Sequence, residues 1–79
     1  MKRFVLTYNE ERVIDRLHSE YRVARKARTR ALAGLARADA MEPSAIRSID
    51  RAIYSEQLAA AREVIRLTTE LVNLIRTQR

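Results

Sequence analysis

Seventy-nine residues without a cysteine make one small domain that neither disulfides nor a thiolate metal site can brace. A net charge of +6 and a pI near 10.8 point towards acidic partners, and an apolar content of 47% is rich in alanine and poor in aromatics. No stretch approaches the ~20 apolar residues of a membrane span, and the start lacks the apolar core of a signal peptide, so the chain reads as soluble and cytoplasmic.

Residues 1–8 read as a short extended arm, in which Phe4 and Leu6 alternate with Val5. The first helix is expected over about residues 9–41. Thr7 with Glu10 fits a capping box, and Asn9 as cap would instead let Tyr8 staple onto Val13. Glu10, Glu11 and Asp15 near this start complement the positive end of the helix dipole, which explains them better than paired acid–base catalysis. The core row is Val13, Ile14, Leu17, Tyr21, Ala24, Ala27, Ala31, Leu35 and Ala38. Its small centre permits close approach of a neighbouring helix. Gly34 costs about 1 kcal/mol relative to alanine, yet the surrounding helix formers predict a helix that continues through it.

The only proline, Pro43, marks a turn at about residues 40–44 and suits the first position of a second helix over about 43–78. That helix carries two apolar rows. Ile46, Ile49, Ile53, Ala60, Val64, Leu67, Leu71 and Leu74 form the main one, expected to face the first helix. Tyr54, Leu58, Ala61, Ile65, Thr68 and Val72 form another, offset by about 100°. Two long helices joined by a short turn run antiparallel. Together these features give an all-α fold: a long antiparallel helical hairpin with an extended N-terminal arm, completed as a helical bundle by oligomerisation or by a partner. The arm spans about 20 Å when extended and the Tyr54–Val72 row about 27 Å, so the arm covers part of that row at most. Charges suggest a register: Arg16 and Arg30 on the first helix are expected to lie near Glu70 and Glu56 on the second.

Chemistry is nearly absent. The chain has no glycine-rich phosphate loop, no His/Cys metal spacing and no serine elbow. His18 is the lone histidine and sits beside the core stripe. The reading is therefore a non-enzymatic protein with no cofactor and no metal. Its partner interface is assigned to Tyr54, Leu58, Ala61, Ile65 and Val72, and its partner is a second copy of itself or another helical protein. Such a module would be a small adaptor, co-chaperone or regulator. The alternative is a basic nucleic-acid-binding regulator. Arg22, Lys26, Arg30 and Arg37 line one outward stripe of the first helix, suited to phosphate or to an acidic partner. Fourteen of the sixteen basic residues are arginine, as a GC-rich genome would also produce. Arg28 projects close to the core row, either with its stem along the groove or as an interfacial ion-pair member.

Overall fold

A computed structural model describes residues 7–77, which fold as two α-helices packed against each other. Helix α1 spans Tyr8–Ala40 and α2 spans Ala45–Thr77. The expected arm falls on residues 1–6, outside the described residues, save for Thr7 and Tyr8. Thr7 is the N-cap of α1: its hydroxyl accepts from the Glu10 backbone N–H, and the Glu10 carboxylate accepts from the Thr7 N–H. The reciprocal bonds satisfy two donors that a helix start otherwise leaves bare. The helix then runs unbroken through Gly34.

At the turn, Ser44 caps α2, its hydroxyl accepting from the Arg47 N–H at 3.1 Å. Pro43 thus precedes the cap and lies in the turn, two residues before the first helical position expected of it. Across the turn, Arg47 Nε donates to the Ala38 carbonyl at 3.2 Å, and Arg51 pairs with Asp39 at 2.8 Å. These contacts satisfy a carbonyl at the C-terminal end of α1 and close the hairpin at this end.

The hairpin is long and thin, with extents of 61 × 16 × 15 Å. Its radius of gyration is 17.9 Å, against about 12 Å for a compact domain of this length. The core is accordingly one row deep. Ile14, Leu17, Ala24, Ala31, Gly34 and Ala38 of α1 are buried against Leu58, Ala61 and Thr68 of α2. The buried Thr68 hydroxyl donates within its own helix, to the carbonyls of Val64 and Ile65, so the core polar group is satisfied.

The two rows of α2 exchange their expected roles. Leu58 and Ala61 keep only 9% and 5% of their surface in solvent, with Tyr54, Ile65 and Val72 half-buried beside them. The bulkier row is outside: Ile46 and Ile49 are 65% and 58% exposed, and even Val64 is 37% exposed. Shape explains the choice. The Tyr54 ring lies over Gly34, where an added Cβ would stand 2.5 Å from ring carbons. The contact needs a helix with no side chain at that point. Above it, Ala61 faces the small stretch of α1 around Ala24 and Ala27, so the backbones approach closely. The Ile/Leu row has no comparable alternation of large and small residues.

Neither expected cross-helix ion pair forms. Arg16 pairs with Glu20 of its own helix at 3.4 Å, and Glu70 is held by Arg66 of its own helix at 3.0 Å. Arg30 and Glu56 make no ion pair among the described residues.

Candidate interaction surface

Among the described residues, the outward side of α2 carries a long row of exposed apolar side chains. Ile46, Ile49, Ile53, Val64, Leu67, Leu71 and Leu74 are all classed as exposed large apolar side chains. Ala60 fills the gap in the row and is exposed as well. Scattered apolar residues are ordinary on a protein surface, whereas these follow one another along the length of a single helix face. The side of α1 next to it contributes Val23 and Ala27, and an open groove of about 700 Å³ runs between Val23, Ala27, Ala60 and Val64. Val23 is itself 68% exposed. The face is thus built from both helices, with the bulk on α2 and small side chains on α1.

The residues assigned to a partner from the sequence, Tyr54, Leu58, Ala61, Ile65 and Val72, lie in the seam between α1 and α2. The structure brings them together, but around α1. On the opposite side of the hairpin, a smaller groove of about 180 Å³ is lined by Leu17, His18, Tyr21, Thr68, Thr69 and Val72. His18 is exposed at its edge.

Charge is unevenly distributed around this body. Arg22, Lys26, Arg30 and Arg37 are all exposed and make no ion pair among the described residues. Arg25 stacks over the Tyr21 ring at 5.8 Å, and Arg12 over Tyr8 at 5.9 Å. Arg28 is half-buried without an ion pair, and no buried side-chain nitrogen or oxygen among the described residues lacks a partner. Its stem therefore lies against the seam while its guanidinium stays in contact with water. On α2, Glu56, Glu63 and Glu70 form a row at heptad spacing. Arg66 donates hydrogen bonds to Glu63 and to Glu70. Those to Glu63 hold that carboxyl below the usual carboxylate range.

Among the described residues no group of His, Cys, Asp and Glu could hold a metal ion, and no helix is long and apolar enough to cross a membrane. The Arg47–Asp39–Arg51 cluster went unnoticed in the sequence. Its only signal there is an acid eight and twelve residues before two arginines across a turn, a spacing that reads as coincidence until the hairpin is closed.

No protein-family model, curated protein or solved structure matches the chain.

Proposed function

We propose that the protein is a non-enzymatic assembly module, which buries the outward row of α2 in a helical bundle. The observation that carries this reading is the exposed row Ile46–Leu74 on a helix whose other apolar row is already spent on α1. Magnitude supports it. The chain exposes 6477 Å², whereas a compact monomer of its mass exposes about 4,900 Å², as its long, thin shape requires. Burying Leu67 and Leu71 alone is worth about 2 kcal/mol each at the usual scale of hydrophobic transfer. Changing both to Glu is expected to abolish assembly, read as solution mass by light scattering, while leaving helical circular dichroism largely intact. An unchanged mass with both substitutions in place would remove this face from the account.

A second reading rests on a different observation: Arg22, Lys26, Arg30 and Arg37 are exposed and form no ion pair among the described residues. Such a stripe suits a phosphate backbone, and binding through it would release counterions. Affinity for a nucleic-acid duplex is expected to fall by 10²-fold or more over a fourfold rise in salt, with a log–log slope of roughly −0.9 per phosphate contacted. Reversing the four charges should flatten that slope. Tight binding that ignores both salt and the four substitutions would exclude this stripe.

A further inference from the structure

Charge is arranged asymmetrically around the exposed face. Val23 lines the groove beside Ala60 and Val64, so the heptad row Arg16, Val23, Arg30, Arg37 lies on the same side of the hairpin as the outward row of α2. Lys26 borders that row further round α1. On α2 the order around the helix is the inner row, then the outward apolar row, then the acids. Glu56, Glu63 and Glu70 each follow an outward residue, Ile53, Ala60 and Leu67, by three. Seen end-on, the face has an edge on α1 that is basic apart from Glu20, which is paired with Arg16, then an apolar centre and an acidic edge on α2.

The levels of these charges along the hairpin also match. Gly34 lies opposite Tyr54, and the helices run antiparallel, so Arg30 stands level with Leu58. Glu56 is two residues from that level, about 3 Å at the helical rise. By the same register Lys26 is level with Arg62, one residue from Glu63, and Arg16 is level with Val72, two residues from Glu70. Within one chain these partners occupy opposite edges of the face and do not meet. A two-fold axis parallel to the helices keeps every level and exchanges the edges. It sets α2 of one copy over α1 of the other, with every neighbouring pair of helices antiparallel. A two-fold axis across the helices would instead lay arginine edge on arginine edge and glutamate edge on glutamate edge.

We propose that the occupant of this face is a second copy of the chain, related by a two-fold axis parallel to the hairpin. Arg30 of each copy meets Glu56 of the other, and the outward row of α2 packs over Val23 and Ala27 of the opposite α1. The proposal rests on the assembly reading above and adds the partner and its register. Arg30 and Glu56 suit the role because both are exposed and neither forms an ion pair among the described residues. Val23, Ala27 and the open groove leave room for the bulky Ile/Leu row, as the buried face of α1 leaves room for Tyr54.

The test uses the full chain and two single variants, Arg30→Glu and Glu56→Arg. Both sites are exposed, so each variant is expected to fold. Wild type should have twice the 9.2 kDa mass of one chain. Each variant alone places two like-charged contacts in its homodimer and should dimerise roughly tenfold more weakly. Mixed together, they restore both contacts, and heterodimer should form well beyond the fraction expected from random mixing. A monomeric wild type overturns the second copy as occupant. A dimer whose variants mix at random overturns the two-fold register, while its sensitivity to Leu67→Glu with Leu71→Glu would show the assembly face to be sound. A dimer indifferent to that leucine pair would instead overturn the assembly reading itself.

Discussion

Replacing Leu58 and Ile65 together by Glu is expected to unfold the hairpin, with loss of most helical circular dichroism at 25 °C. Among the described residues, Leu58 is one of three large apolar side chains that are buried, with Ile14 and Leu17. Cutting back a buried leucine costs about 2–5 kcal/mol, and a carboxylate at the same place adds a desolvation penalty. A domain of this size has a total stability of roughly 4–12 kcal/mol, much of which the two substitutions would consume. The same chemistry at Leu67 and Leu71 costs the isolated hairpin less, because these side chains keep 42% and 44% of their surface in water against 9% for Leu58. The contrast between the pairs thus reports which row of α2 faces inward. If the Leu58/Ile65 variant stayed helical and lost only its partner, the seam would run along the other row.

Gly34→Leu is expected to destabilise the hairpin by about 2–3 kcal/mol, read as a drop in thermal midpoint. Taken as a helical position alone, Gly34 should gain about 1 kcal/mol from alanine and nearly as much from leucine. The Tyr54 ring reverses this. Three of its carbons lie 2.5–2.6 Å from where a Cβ would stand, so the whole ring must lift off α1. Overpacking of this kind costs about 1–3 kcal/mol, and a leucine adds three further carbons to the same space. Tyr54→Ala empties that space, and in its background Gly34→Ala should stabilise by about 1 kcal/mol, the ordinary helix gain. Stabilisation by Gly34→Ala with Tyr54 intact would contradict the close approach of the two helices at this point.

Much of the architecture was legible because it depends on local chemistry. Thr7 and Glu10 carry the capping box in their spacing, and Pro43 beside Ser44 marks the turn. Continuity through Gly34 followed from the helix formers around it. The orientation of α2 was not legible, for a physical reason. Ranking rows by bulk selects Ile46, Ile49, Ile53 and the leucines as the core, since burial of large side chains dominates folding free energy. What decides the packing is the fit between a Gly/Ala face on α1 and a row that alternates Tyr54, Leu58 and Ile65 with Ala61 and Thr68. The signal was present in Gly34 and the run Ala24, Ala27, Ala31, but it specifies an approach distance and not a partner row. The register was nearly right: Arg30 and Glu56 do stand at matching levels. Their edges could not be read until the inner row was known.

The central claim, that the outward row of α2 assembles the protein, is tested most directly by solution mass. Wild type and the Leu67→Glu, Leu71→Glu variant should be compared by light scattering at equal concentration, with circular dichroism recorded on the same samples. A wild type of twice the monomer mass and a variant that is monomeric yet equally helical are the results predicted here. A variant with the wild-type assembled mass would contradict the claim.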